Sequence, residues 1–301
     1  MEKRNVLITG ATSGIGYEFA KIFAKKKCNL VLVARNRENL KKTANEMREL
    51  AREKNKGKKG EIEVTEIAID LFDRESAKEI YEITKERRIV VDILINNAGQ
   101  GEWGKFAATD LDRDINLVEL NITSVLSLTK LYLEDMLKVG EGKILFLASS
   151  VSKAPSPYMA VYAATKAFIL SFAEALAKET ENTNITITAL QPDATDTDFF
   201  HKAKAECSVT YKEKKLASPE EVAKEGVKAL KNGTKVVSPG FQNKFQSVLN
   251  NILSYDAITA NMERQMKLSD KKNGRDKPLH MASLRERESI NKFKRTFNGD
   301  Y

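Results

Sequence analysis

Tyr162 and Lys166 lie four residues apart in a run with helical spacing, so their side chains share one helix face. An ammonium beside a phenol favours the phenolate and draws down a pKa that is otherwise about 10. Such a tyrosine is a proton donor and acceptor near neutral pH. Taken alone, the pair also fits a core-edge tyrosine beside a surface lysine. A second element adds weight: the run Thr9-Gly10-Ala11-Thr12-Ser13-Gly14-Ile15-Gly16 carries G-x-x-x-G-x-G directly after the apolar Val6-Leu7-Ile8. Glycine permits a tight turn and lets backbone approach a diphosphate with no Cβ in the way. The helix that follows aims its N-terminal N–H groups at the same anion. With a strand before it and a helix after it, this turn reads as a dinucleotide cradle.

After the second apolar strand, a dinucleotide site reads the adenosine ribose. An acid there accepts the 2′-hydroxyl and favours NAD. This chain has Ala34-Arg35-Asn36-Arg37 and no acid. Arg35 can pair bidentately with a 2′-phosphate, so NADP(H) is expected in preference to NAD(H). Asp70, followed by Leu71, ends the third strand, where it can accept from the adenine amine or a backbone N–H.

The elements that must position these groups alternate strand and helix. Strands are expected at Val6–Thr9, Asn29–Ala34, Glu63–Asp70, Val90–Asn96, Lys143–Ala148, Thr186–Gln191 and Lys235–Val237. Helices are expected near Tyr17–Lys26, from Arg37, at Ser76–Arg87, near Val118–Leu137, at Val161–Glu179 and from Ser218. At that last start Ser218 is the N-cap, Pro219 takes N1 and Glu221 closes a capping box. Apolar strands alternating with helices predict an α/β fold, a doubly wound parallel sheet of about seven strands covered on both faces. Its crossovers should be right-handed.

Composition closes off other classes. The chain has 301 residues, 42% hydrophobic and 31% charged, an ordinary globular balance. Two cysteines, Cys28 and Cys207, and two histidines, His201 and His280, exclude a disulfide scaffold and make a metal site unexpected. No run of about 18 apolar residues predicts a membrane-spanning helix, and no leader precedes the first strand. A reduced, cytoplasmic protein is expected. The net charge of +8 sits in two segments, residues 41–60 and 261–301, and the rest is close to neutral. The first reads as a solvated helix end and loop, so no nucleic-acid partner is expected.

Thr9–Gly16, Asn96-Asn97-Ala98-Gly99, Asn121, Ser149, Tyr162 and Lys166 occur in that order. Together they resemble the short-chain dehydrogenase/reductase family, in its branch of about 250 residues, over residues 4–240. The resemblance implies a Rossmann-type fold and a tetrad of Asn121, Ser149, Tyr162 and Lys166. Tyr162 would protonate a carbonyl oxygen as hydride arrives, and Ser149 would hold that oxygen. Lys166 would bind the nicotinamide ribose and tune Tyr162, and Asn121 would hold a water linking Lys166 to solvent. Thr12, Ser13, Asn97, Ala98, Gly99, Pro192, Thr195 and Thr197 would join the glycine turn around the cofactor. Ser150 is the reserve for Ser149. The implied partners are a carbonyl or alcohol substrate and further copies of the chain, as a homodimer or homotetramer. The competing class is a non-catalytic NADP-sensing protein of the same fold, whose mark would be a damaged Tyr162 or Lys166. An epimerase or dehydratase of the longer branch would need G-x-x-G-x-x-G.

One departure stands out. Gln191-Pro192-Asp193 puts Asp193 where the family usually has glycine, a place where aspartate tolerates positive φ better than most residues. Phe199 and Phe200 either line an apolar pocket or anchor its cover. Gln100, Gly101, Trp103, Phe106, Tyr158 and Met159 are expected to border the same cleft. Residues 1–240 are read as the catalytic domain and 241–301 as a C-terminal extension. In the extension, Phe241–Leu253 forms an apolar helical stripe suited to packing over the cover, against a second copy or on a membrane surface. A polar tail follows from about Leu268, with a short helix expected at Leu284–Phe297.

Overall fold

The computed structural model describes residues 3–53, 61–239 and 255–269. The expected helices at Phe241–Leu253 and Leu284–Phe297, and the basic loop beyond Glu53, lie outside these. The described strands are β1 (Asn5–Thr9), β2 (Asn29–Ala34), β3 (Val64–Ala68), β4 (Ile93–Asn96), β5 (Gly142–Leu147), β6 (Ile185–Leu190) and β7 (Val236–Val237). All pair in parallel, in the order β3-β2-β1-β4-β5-β6-β7. The chain therefore reverses its direction of winding between β1 and β4. In such sheets ligands bind in the crevice that opens there, beyond the carboxyl ends of the strands.

The strands are apolar throughout because both faces are covered. Val6 and Ile8 of β1 join a core with Phe19, Leu40, Met47, Val222 and Leu230. These come from α1 (Gly14–Lys25), α2 (Arg37–Glu53) and α9 (Pro219–Asn232). Leu7, pointing the other way, joins Ile80, Leu128, Tyr132, Phe146, Ile169 and Ala173. Those belong to β5 and to α3 (Ser76–Glu86), α5 (Ser124–Val139) and α6 (Ala160–Glu179). By length and composition α6 alone is apolar enough to cross a membrane, contrary to the expectation of no such helix among the described residues. Here its apolar stripe is core: Ile169, Leu170, Ala173 and Leu176 pack on the sheet.

Other differences are local. The long helix expected at Val118–Leu137 is two helices, α4 (Leu111–Val118) and α5, joined by a π-helical turn at Glu119–Thr123. Asn121 sits in that turn, which widens the helix and re-aims its side chain. Ser218 is the N-cap of α9 with Pro219 in the first turn, yet its hydroxyl makes no capping hydrogen bond, so the expected capping box does not form. Beyond β6, the short helices α7 (Phe199–Lys202) and α8 (Val209–Glu213) and then α10 (Tyr255–Met266) form a layer over the carboxyl ends of the strands.

Candidate active site

A single cleft of about 1300 Å³ runs from the end of β2 across the carboxyl ends of β1, β4, β5 and β6 to α10. At its first end lies the glycine turn. Gly10 and Gly14 both adopt positive φ (66° and 55°), the left-handed region that costs glycine least. Gly16 is needed for space: a Cβ there would sit 2.3 Å from the Gly10 carbonyl oxygen. Ser13, the N-cap of α1, makes no side-chain capping bond, and no acid occupies the first turn. The N-terminal N–H groups of α1 therefore keep their attraction for an anion.

Thr9 and Gly16 stand behind the turn and do not line the cleft. The buried Thr9 hydroxyl accepts from the N–H groups of Asn97 and Ala98, both at 3.0 Å. Asn97 Nδ2 donates to the Thr9 carbonyl at 2.8 Å and to that of Gly10 at 3.3 Å. These bonds lock β1 to β4 where the sheet divides. Thr12, Ser13, Ile15, Ala98, Gly99, Leu71, Pro192, Thr195 and Thr197 line the cleft. The Thr197 methyl closes over Gly14, whose own Cβ would approach it to 2.9 Å.

At the end of β2, Arg35 is half-exposed and lies 3.7 Å from Asp70 Oδ2. Its guanidinium also lies 5.5 Å from the centre of the Phe72 ring, which borders the same pocket. Asp70 Oδ1 accepts from the Phe72 N–H at 3.2 Å, the backbone alternative expected of it.

The reactive groups meet mid-cleft. Tyr162, in the first turn of α6, is hydrogen-bonded through its hydroxyl to Ser149, which follows β5. Ser150 turns the other way and donates to Asp193 Oδ1 at 3.1 Å. Asp193 is thus held by a serine hydroxyl, and it does not use the positive φ anticipated for it. Lys166 is buried and donates to the Leu147 carbonyl at 2.7 Å. Its Nζ lies 5.8 Å from the centre of the Tyr162 ring. Asn121 is buried beside the cleft wall; it donates to the Gln100 carbonyl at 2.9 Å and accepts from the Gln100 N–H at 3.1 Å. Lys166 and Asn121 converge on Gly99, where a Cβ would stand 3.2 Å from Lys166 Nζ and 3.3 Å from Asn121 Oδ1.

The electrostatics differ from expectation. Burial pushes the Tyr162 phenol up to about 12, against the pull of the Ser149 hydrogen bond. Burial also holds the Lys166 ammonium down to about 8. The lysine therefore does not draw the phenol down here. Its ammonium donates to a backbone carbonyl and has no ion pair among the described residues, so desolvation is the largest influence on both groups.

The apolar end holds Met159, Phe199 and Phe200, with the Phe199 ring 4.9 Å from that of Tyr162. Phe106, expected at the cleft, is 65% exposed and faces solvent. Trp103 lies behind the cleft, stacked on Tyr158, and Gly101 packs under Met159 and Phe199. Two features escaped sequence reasoning. The buried Glu102 pairs with Lys204 at 2.6 Å and Arg113 at 3.2 Å, tying the loop after β4 to the covering layer. Ile258, Asn261, Met262, Gln265 and Met266 of α10 also line the cleft. The four-residue spacing of Ile258, Met262 and Met266 is the signal that marks them as one helix face.

A family model described as short chain dehydrogenase matches residues 4–208. An uncharacterized oxidoreductase of Bacillus subtilis is 32% identical over 198 residues, covering 66% of this chain and 70% of its own length. A very-long-chain 3-oxoacyl-CoA reductase of Rattus norvegicus is 31% identical, but the match spans only 57% of that protein and 62% of this one. A short-chain dehydrogenase from Sphingobium yanoikuyae, solved in complex with NADPH, superposes with a TM-score of 0.72 at 26% identity, over 89% of this chain and 99% of that one. With the cradle, the switch-point cleft and the matched sequence in agreement, the chain belongs to the short-chain dehydrogenase family of nicotinamide-dependent oxidoreductases.

Proposed function

We propose that the protein is an NADPH-dependent carbonyl reductase in which Tyr162 delivers the proton. The observation that carries this reading is the Tyr162–Ser149 hydrogen bond at the middle of a cleft built for a dinucleotide. The residues present fit such a group. The positive-φ glycines Gly10 and Gly14 line the cleft, and the uncapped α1 N-terminus suits a diphosphate. Gly10, Thr12–Ile15, Asp70, Leu71, Asn97–Gly99, Pro192, Thr195 and Thr197 would hold it, with Lys166 at the ribose and Arg35 at a 2′-phosphate. When bound, the nicotinamide supplies the hydride.

The chain's own residues do the rest. A substrate carbonyl oxygen beside Tyr162 and Ser149 accepts two hydroxyl donors, which stabilise its developing negative charge. A phenol held near 12 stays protonated at neutral pH, so it has a proton to give. An alkoxide is a far stronger base than phenolate, and the transfer runs downhill toward the alcohol. Lys166, close to titration near pH 8, then returns a proton to Tyr162. Asn121 borders that path.

Met159, Phe199 and Phe200 support an apolar or partly apolar ketone, of the 3-oxoacyl, steroid-like or small class. Leu111, Ile115 and Val118 of α4 are exposed at i, i+4 and i+7, a stripe suited to pairing with a second copy. The deciding experiment follows NADPH absorbance against ketones, aldehydes and 3-oxoacyl thioesters. Oxidation with at least one supports the reading. Tight NADPH binding without turnover of any overturns it in favour of a sensor.

A further inference from the structure

The family match ends at residue 208, yet α10, some fifty residues later, supplies five residues to the cleft. The helix is fastened at its C-terminal end. Trp103, the only tryptophan, donates its indole N–H to the Met266 carbonyl at 2.8 Å. The Thr210 hydroxyl donates to the Gln265 carbonyl at 3.0 Å, and Lys214 Nζ donates to Gln265 Oε1 at 2.7 Å. Val209 N–H donates to the Lys267 carbonyl at 3.0 Å and Ser269 N–H to that of Cys207 at 2.8 Å. A helix held at so many backbone and side-chain points keeps a fixed face toward the cleft.

That face continues the apolar surface that begins at the reactive phenol. Tyr162 and Phe199 pack against a cluster of Met159, Phe200, Ala203, Leu216 and Met266. Ile258 and Met266 are buried, at 8% and 6% exposure, and are already committed to packing. Met262, midway between them, is only half-buried and borders the cleft. Of the three apolar side chains that α10 turns to the cleft, it is therefore the one with surface left to cover. An open thioether in a concave site is what an apolar ligand group covers, and its flexibility lets it fit several shapes.

We infer that α10 is the substrate-selecting wall of this enzyme. Met262 meets the larger, apolar substituent of a ketone whose carbonyl lies at Tyr162. The inference rests on the carbonyl-reductase reading of the cleft and adds the substrate class: a ketone with one bulky apolar arm, such as an aryl or cyclohexyl group. A methylene-sized change in such a pocket shifts selectivity by roughly 10–200-fold.

The test compares kcat/KM for butanone and for a phenyl alkyl ketone, with NADPH, in the full-length protein and its Met262→Glu variant. A carboxylate of similar length on a half-buried position should lower the phenyl-to-butanone ratio by about 10-fold or more. Met262→Ala, which keeps a strong helix former, should lower it in the same direction by about threefold or more. An unchanged ratio in both variants overturns the inference. Calorimetric titration of the phenyl ketone in the presence of NADP+ reads the wall without turnover. Weaker binding in the variants supports it even if the unmodified protein reduces nothing, an outcome that would sink only the reductase reading. No saturable binding to the unmodified protein overturns it.

Discussion

Ser149 and Ser150 are adjacent in sequence and face opposite partners: Ser149 is hydrogen-bonded to the Tyr162 hydroxyl, and Ser150 donates to Asp193 Oδ1 at 3.1 Å. The first lines the cleft beside Tyr162, and in the proposed reaction it holds the substrate oxygen. The second restrains the carboxylate that stands in place of a glycine.

Ser149→Ala should therefore lower kcat by roughly 10²–10³, the usual cost of removing one donor to a developing oxyanion. Ser150→Ala should change kcat by less than about threefold and act, if at all, on cofactor KM through Asp193. Steady-state kinetics on the two variants decide between them. Equal losses would contradict the division of labour.

Arg35 is half-exposed, loosely paired with Asp70 at 3.7 Å, and stands over the Phe72 ring. A hydrogen bond to a charged group contributes about 1.5–3 kcal/mol. Arg35→Ala should therefore weaken NADPH by roughly 10–100-fold while leaving NADH within a few-fold. Equal use of NADH and NADPH by the unmodified protein would dispose of the proposed preference.

The buried Lys166 makes stability depend on pH. Its folded pKa of about 8 lies below the model-peptide value, so between the two the unfolded chain binds more protons. Stability must then rise with pH across that window. In chemical denaturation of the cofactor-free protein, the stability of the unmodified chain relative to Lys166→Met should increase by about 2 kcal/mol from pH 8 to 9.5. Tyr162 works in the opposite sense and later. With its pKa raised to about 12, its contribution falls as pH climbs above 10. A pH-independent difference between the two chains would show that Lys166 is not buried as described.

Much of this site is written in local sequence. Gly10, Gly14 and Gly16 each answer a constraint of backbone angle or space within one turn. Tyr162 and Lys166 announce themselves by helix periodicity. The strands were legible because burial on both faces leaves no polar alternation. What stayed hidden depends on long-range packing. Phe106 was expected in the cleft because it follows the Asn-Asn-Ala-Gly element, but the chain turns outward there and exposes it. The π-helical turn at Asn121 has no propensity signal of its own. It is stabilised by the Gln100 backbone, 21 residues away. Trp103 and Met266 are 163 residues apart, and no local pattern pairs them. The depressed Lys166 pKa follows from burial depth, which the spacing of Tyr162 and Lys166 does not encode.

The central claim is that Tyr162 gives the proton. Tyr162→Phe removes only the hydroxyl and keeps the ring against Phe199, 4.9 Å away. Single-turnover reduction of a ketone accepted by the unmodified protein, at saturating NADPH, should slow by roughly 10²–10⁴. NADPH affinity, read by equilibrium titration, should stay within about threefold. Near-normal reduction by this variant would contradict the account.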